Sequence, residues 1–203
     1  MNIPPLLVGI SGASGVIYGI RMLEALRALG IPSHLVMSRS AEVTLALETT
    51  LKLADVHALA DSVFNPADIA AAPSSGSARY RGMVIAPCSI RSMSEIATGV
   101  TSSLLTRAAD VTLKERRRLI LMVRETPLHT GHLRTMTALS EMGAIIAPPV
   151  PAFYAAPVSI DDMVDHTVGR ILDLFDLDTG RVKRWGQTGQ AARKRPRRED
   201  GGQ

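Results

Sequence analysis

Aromatic residues and cysteine are both scarce in this sequence. Aromatic side chains make up 3% of the 203 residues, and Cys88 is the single cysteine. One cysteine cannot form a disulfide within the chain, and it cannot build a metal site without other ligands. We therefore expect a reducing, cytoplasmic location and a core of Ala, Leu, Ile, Val and Met.

Long apolar segments are also missing. The sequence has no run of about 18 apolar residues, so we predict neither a membrane span nor a membrane partner. The first residues lack the positive charge of a secretory signal, and their apolar run breaks at Gly9 and Gly12. Hydrophobic residues at 46% and charged residues at 21% are typical of a globular domain.

Positive charge is concentrated at the carboxyl terminus. Residues 181–203 carry eight Lys and Arg against Glu199 and Asp200, whereas the whole chain has a formal charge of +4. The first 180 residues are therefore slightly acidic, which argues against a specific nucleic-acid surface. We expect one domain over residues 1–185 and a basic, disordered tail over 186–203. Such a tail could bind RNA or anionic lipid without sequence preference.

Short apolar runs alternate with helical patterns along the chain. The runs that predict strands are PPLLVGI, SHLVMS, GMVIAPCS, RLILMVRETP and AIIAPPVPAFY. This alternation predicts an α/β fold, a single Rossmann-like (flavodoxin-like) domain with a mostly parallel sheet flanked by helices. We expect Ser40 to cap the second helix, residues 62–82 to form a long loop, and one helical stretch to follow the third strand through Ala109.

Polar clusters follow several of these strands. Ligands of such sheets bind beyond the carboxyl ends of the strands, so we expect these clusters to meet at one edge of the sheet. They are Ser11–Gly15, Ser38, Pro87–Ser92, Arg124–Thr126 and Phe153–Tyr154.

The first cluster, GISGASG, joins a strand to a helix. The free N–H groups of a helix N-terminus suit an anion or the polar edge of a heterocycle. The glycine spacing G-x-x-G-x-x-G differs from the dinucleotide fingerprint, and the motif is not a phosphate-binding P-loop. Taken alone, it could equally be a tight strand-to-helix turn.

The second cluster, APCSIRSMSEIATG, offers hydroxyl groups and one thiol. Ser89 and Ser92 can present their hydroxyls beside the N–H groups of the next helix. Cys88 could be a nucleophile at a helix N-terminus, but no histidine lies nearby in sequence to act as its base. A buried packing cysteine is the commoner outcome.

Charged side chains complete the candidate site. Arg124 offers a planar fork for phosphate, and Glu125 could move protons if burial raises its pKa, although a surface pair is an alternative. Arg107 and Lys114 lie seven residues apart, near one face of a helix, and with Tyr154 and Arg170 they could form an anion pocket. The other interpretation of the charged stretch that contains Arg107 and Lys114 is a helix whose charges face solvent.

A metal-free site is predicted. The sequence has no Asp-rich motif of the kind that holds a pyrophosphate through magnesium, and its five histidines lack a zinc-binding spacing. Phosphate charge would then be met by Arg, Lys and backbone N–H groups.

Several long motifs, in order, resemble the UbiX/Pad family of flavin prenyltransferases. They are GISGASGVIYGIRMLEAL, CSIRSMSEIATG, RAADVTLKERRRLILMVRETPLHTGHLRTM and GAIIAPPVPAFY. The resemblance runs from about Leu6 to Trp185. It implies that residues 1–185 are a flavin prenyltransferase domain.

The resemblance also implies a role for each site residue. FMN would be contacted by Gly12, Ala13, Ser14, Ser38, Ser89, Ile90, Arg91, Ser92 and Arg124. Dimethylallyl monophosphate would be held by Arg107, Lys114, Arg124, Tyr154 and Arg170. Glu125, Ser14 and Glu48 match catalytic positions of the family.

The reaction implied is transfer of a dimethylallyl group to N5 and C6 of reduced FMN. The prenylated FMN would serve a partner UbiD-type decarboxylase, for example in ubiquinone biosynthesis, and the enzyme would be a homododecamer with sites shared between subunits. Two alternatives stay open: a flavin-dependent cysteine decarboxylase of the same fold, and a non-catalytic flavin-carrying subunit.

Overall fold

The computed structural model describes residues 3–184 and residue 186, so all but the first residue of the predicted basic tail lies outside the described residues. Within that part, six strands form one sheet, and every neighbouring pair is parallel. The strands are β1 (Leu6–Ile10), β2 (Ser33–Met37), β3 (Ser62–Phe64), β4 (Gly82–Cys88), β5 (Arg118–Val123) and β6 (Ile145–Ile146).

Seven helices connect and flank these strands in the described part of the chain. They are α1 (Val16–Ala28), α2 (Arg39–Glu48), α3 (Leu53–His57), α4 (Ile90–Thr98), α5 (Leu104–Lys114), α6 (Thr130–Glu141) and α7 (Ile160–Asp173). Short 3-10 turns lie at Ala72–Ser74 and Phe153–Ala155.

The sheet separates two apolar layers, because alternate side chains of a strand point to opposite faces. Val8 and Ile10 of β1 pack with residues of α1 and α7 on one face. Leu7 packs on the other face with residues of α4, α5 and α6. Buried strands of this kind have almost continuous apolar sequences, which explains why the pattern predicted them.

The strand order β3-β2-β1-β4-β5-β6 confirms the predicted Rossmann-like class. The chain proceeds outward from β1 in one direction and from β4 in the other. β1 and β4 are therefore the neighbours between which the direction of winding reverses. A ligand site is expected at their carboxyl ends, where the flanking loops diverge.

Three local predictions were wrong. Residues 62–82 are not a continuous loop, because residues 62–64 pair with β2 as the short edge strand β3. The helical stretch after β4 is interrupted at Gly99, which takes a left-handed φ of 72° and ends α4. Ser38 rather than Ser40 caps α2, since its side chain accepts a hydrogen bond from the N–H of Ala41.

Candidate functional site

A buried serine ties together the loops that follow β1 and β4. The Ser11 hydroxyl donates to the carbonyl of Pro87 at 2.8 Å and accepts from the N–H of Ser89 at 2.7 Å. Ser11 is 1% exposed. Because both bonds are sheltered from water, they fix the relative position of the two loops.

Three helices begin at a cleft of about 300 Å³ beside this junction. The N-cap residues of α2, α4 and α5 are Ser38, Ser89 and Ser103, and all three line the cleft. Each side chain accepts from a backbone N–H in the first turn of its helix. Three helix N-termini directed at one space create a positive field suited to a phosphate group.

The charged residues of the cleft are two arginines and one glutamate. Arg39 and Arg91 supply positive charge, and Arg91 pairs with Glu95 at 2.8 Å. Burial alone would raise the pKa of Glu95, but hydrogen bonds from Ser102 and Arg91 lower it overall. The Glu95 carboxylate is therefore an ionised acceptor at one wall of the cleft, held by Arg91 and Ser102.

A second group forms where α1 begins. Glu48, at the end of α2, accepts from the N–H groups of Gly15 at 2.8 Å and Val16 at 3.1 Å. Burial alone would raise the pKa of Glu48, but hydrogen bonds from Ser14, Gly15 and Val16, and then the charge of Arg124, lower it. Glu48 is thus an ionised acceptor that orients the Ser14 hydroxyl and occupies the N-terminus of α1.

Gly12 allows a close approach between the β1–α1 turn and α2. A Cβ atom at this position would lie 2.4 Å from both Cβ and Oγ of Ser40, and 3.1 Å from its backbone carbon. A side chain at residue 12 would therefore push α2 away from the turn. Gly12 therefore sets how closely the turn that carries Ser14 packs against α2.

Arg124 and Glu125 lie at the carboxyl end of β5, as predicted. The N–H of Arg124 donates to the carbonyl of Cys88, which extends the pairing of β5 with β4 by one residue. Glu125 Oε1 accepts from the N–H of Thr126 at 3.0 Å. Both side chains are exposed, so the burial on which the proton-transfer hypothesis depended is not supplied by this chain alone.

Lys114 lies away from this end of the strands, whereas Arg107 lies in the first turn of α5, next to the cleft residue Thr106. Lys114 ends α5 and comes shortly before β5, whereas Arg124 comes directly after it. The six residues of β5 span about 20 Å, so Lys114 lies at the amino ends of the strands and Arg124 at their carboxyl ends. Arg107 lies on the same helix as Lys114 and pairs with Asp110 at 2.8 Å.

Tyr154 and Arg170 belong to the α7 side of the molecule. The Tyr154 ring packs edge-on against His166, with centroids 5.7 Å apart. Arg170 pairs with Asp173 at 2.6 Å in the last turn of α7. A single chain therefore does not assemble Arg170 or Lys114 with Arg124, and the roles predicted for them stay predictions.

Cys88 is not available as a nucleophile. Its side chain is 0% exposed, and burial raises the pKa of the thiol to about 12. A thiol with that pKa is protonated at neutral pH and cannot attack a substrate. The packing interpretation of this cysteine is correct.

The cleft contains part of the predicted flavin set and several residues that the sequence did not suggest. Ser38, Ser89, Arg91 and Ser92 line it, and Ile90 begins α4 beside them; the FMN contacts assigned to them stay predictions. Missed lining residues are Arg39, Ser40, Glu95, Ser102, Ser103 and Thr106. The signal for Ser103 was present, since Gly99 followed by two serines before an apolar run marks a helix end and a new N-cap.

None of the helices in residues 3–184 is long and apolar enough to cross a membrane. Among the same residues, no group of three or more His, Cys, Asp or Glu is arranged to hold a metal ion. The prediction of a metal-free reaction stays a prediction.

Comparisons with known proteins agree on one family. The family model described as Flavoprotein matches residues 1–172. The chain is 60% identical over 173 residues to the flavin prenyltransferase UbiX of Escherichia coli K12, which covers 85% of this chain and 92% of that protein. It is 53% identical over 180 residues to UbiX of Thauera aromatica, with 89% and 93% coverage.

The fold agrees with solved structures of the same group. AnUbiX (PadA1), in complex with FMN and dimethylallyl pyrophosphate, has a TM-score of 0.90 and 50% identity, covering 91% of this chain and 98% of that one.

Proposed function

The chain belongs to the UbiX family of flavin prenyltransferases, and we propose on that basis that it transfers a dimethylallyl group to reduced FMN. The observation that carries the proposal is the arrangement of residues at the carboxyl ends of the strands. A cleft suited to phosphate lies there at the N-termini of α2, α4 and α5, and a group formed by Ser14, Glu48 and Arg124 lies at the same ends of the strands.

The residues of this edge fit FMN. The helix N-termini and the hydroxyls of Ser38 and Ser89 would hold its phosphate, and Ser14, held by Glu48, would lie beside the flavin ring. Reduced FMN, when bound, supplies the nucleophilic N5 and C6 atoms of the reaction. The carrier alternative assigns the same site to FMN but gives no chemical role to Glu125.

Departure of an allylic phosphate places negative charge on the leaving group. Arg124, with its fork of N–H donors at the strand end, stabilises that charge. Glu48 holds Ser14 in one orientation, so the serine hydroxyl can donate or accept at a fixed point. Glu125 is the base that removes the C6 proton during ring closure, once bound substrate or a neighbouring subunit shields it from water.

The remaining cations are supplied by other copies of the chain. Lys114 and Arg170 lie away from Arg124 within one chain, so a complete donor site needs a second subunit. The structure of an FMN-dependent UbiX-like decarboxylase from Escherichia coli O157:H7, with a TM-score of 0.87, 49% identity and coverage of 89% of this chain and 98% of that one, is dodecameric. We extend a homododecamer, with shared sites, to this protein.

Exposed apolar side chains next to Tyr154 support this arrangement. Phe153, Val158 and Ile160 are 74%, 93% and 78% exposed in the single chain. Clustered apolar exposure of this kind marks a surface that another protein covers.

A mixture of Arg124→Ala and Lys114→Ala subunits should recover part of the activity that each variant alone lacks. No recovery after exchange of subunits would place both residues in the same chain's site.

The donor is dimethylallyl monophosphate, and the product serves a UbiD-type decarboxylase in the cytoplasm. The guanidinium groups of Arg39 and Arg91 in the cleft and of Arg124 at the end of β5 suit the oxygens of a single phosphate. The cysteine decarboxylase alternative is not favoured, because relatives at 53–60% identity are prenyltransferases.

An anaerobic assay tests the proposal. Reduced FMN is mixed with the protein and with either the monophosphate or the pyrophosphate donor, and the flavin spectrum and the released anion are followed. The monophosphate should give an altered flavin and free orthophosphate. Flavin binding without turnover on either donor would support the carrier alternative instead.

A further inference from the structure

A groove lined by four arginines lies at the amino ends of the strands, opposite the candidate active site. Its volume is about 570 Å³. The residues that matter to its chemistry are Arg81, Arg116, Arg117, Arg118, Phe175 and Asp176. Asp176 is the single acidic residue among its described lining residues, although the body of the chain is slightly acidic.

Two of the four guanidinium groups are held in place. Arg117 donates to the carbonyls of Ala78 at 2.6 Å and Gly76 at 2.8 Å. Arg118 lies 6.0 Å from the centre of the Phe175 ring and makes a long, exposed contact of 3.4 Å with Asp176. Carbonyl and aromatic partners orient these cations without neutralising them, so the groove keeps an excess of positive charge.

Arg81 carries an unsatisfied donor. Its Nη1 donates to the carbonyl of Phe175 at 3.3 Å, but its Nε is buried and has no hydrogen-bond partner among the described residues. No carboxylate of the described residues pairs with Arg81, so its charge adds to the positive charge of the groove.

Arg116 occupies a backbone position that favours glycine. It follows the end of α5 with a φ of 56°. The N–H groups of Arg116 and Arg117 donate to the carbonyls of Leu113 and Thr112, which is the bonding pattern of a Schellman motif. A side chain in the left-handed region is strained there, and such strain tends to be kept where it places a functional group.

We propose that this groove is a binding site for a polyvalent phosphate, such as pyrophosphate or the diphosphate group of an organic molecule. Guanidinium forks match phosphate oxygens in geometry and form charge-assisted hydrogen bonds with them. Four arginines against one carboxylate favour an anion with several charges over a monocarboxylate. Within one chain the groove is separate from the flavin site, because the length of β5 lies between them.

Binding of inorganic pyrophosphate to the full chain, measured by calorimetry with FMN present at saturation, tests this inference. Arg81→Gln and Arg118→Gln should each weaken the groove site at least tenfold. Arg27→Gln is the matched control, since Arg27 is an exposed arginine at the carboxyl end of α1, on the same side of the fold. The control should leave the affinity within twofold of the original.

Arg116→Gly gives a second, independent readout. Removing the strained side chain should raise the melting temperature by about 2 °C and weaken pyrophosphate binding several-fold. A folding defect would lower both quantities, so opposite changes identify a residue kept for binding.

Two results would overturn the proposal. Equal losses in Arg27→Gln and the groove variants would indicate unspecific charge attraction, to which the basic tail also contributes. If Arg124→Ala loses all pyrophosphate binding and the groove variants keep theirs, the anion binds in the active site. Adenosine diphosphate, run as a parallel ligand, distinguishes the two sources: binding tighter than that of pyrophosphate indicates an organic diphosphate.

Discussion

At the carboxyl ends of the strands the structure presents helix N-termini and serine hydroxyls, whereas at the amino ends it presents arginine side chains. The difference follows from the parallel topology. Every strand of a βαβ unit leads into the N-terminus of a helix at its carboxyl end, so free N–H groups collect there. At the amino ends the helices finish in carbonyl groups rather than N–H donors, so only side chains can supply positive charge there.

Removing the charge of Glu48 should produce the largest effect. Glu48→Gln cannot hold the N–H groups of Gly15 and Val16 and the Ser14 hydroxyl as the carboxylate does, so we expect about 100-fold slower prenyl transfer. Pyrophosphate binding at the arginine groove should not change. Glu42→Gln, on the same helix, serves as the control in a stopped-flow assay of flavin absorbance, and equal rates in both variants would refute a role for Glu48.

Adding a side chain at the close contact between α1 and β4 should lower the stability of the fold and disturb the flavin site. A Cβ atom at Gly19 would lie 2.4 Å from the carbonyl oxygen of Ala86, below the turn that carries Ser11. Gly19→Ala should lower the free energy of unfolding by about 2 kcal/mol and weaken FMN binding. Urea denaturation measures the first effect, with Arg27→Ala on the exposed face of α1 as the control. An unchanged midpoint would show that the helix can move without penalty.

Exchanging the cation at the carboxyl edge should have a moderate effect. Arg124→Lys keeps the charge but loses the fork that binds two phosphate oxygens, so we expect KM for the donor to rise about tenfold with a smaller change in kcat. Arg134→Lys, an exposed arginine on α6, is the matched control. If KM stays the same, the donor phosphate is held elsewhere.

Replacing the cysteine should have the smallest effect. Because burial raises the pKa of Cys88 to about 12, the thiol stays protonated through the working pH range. Cys88→Ala should keep activity within twofold, and alkylating reagents should leave the native thiol unmodified at pH 8. Rapid alkylation accompanied by inactivation would contradict the buried position.

The sequence predicted the strands of the core and the edge at which the polar clusters meet, because both depend on local patterns. Apolar runs such as LLVGI need no partner to be recognised. β3 was missed because three residues at a sheet edge carry no periodic signal, and its pairing with β2 is a long-range contact. The division of the helix at Gly99 was missed although the glycine was visible.

The arginine groove could not be predicted from the sequence. Arg81 and Arg118 are 37 residues apart in the numbering and meet because β4 and β5 are neighbours in the sheet. The run of arginines after Lys114 indicated only a solvated helix. The strain at Arg116 depends on its φ angle, which no residue pattern around it reveals.

The mass of the flavin after one anaerobic turnover tests the central claim most directly. Reduced FMN, the protein and dimethylallyl monophosphate should yield a flavin heavier by one five-carbon prenyl unit. The Arg118→Gln groove variant should form the same product, and Glu48→Gln should form little. Unchanged FMN in the wild-type reaction, with both donors and with the flavin bound, would contradict prenyl transfer at the carboxyl edge.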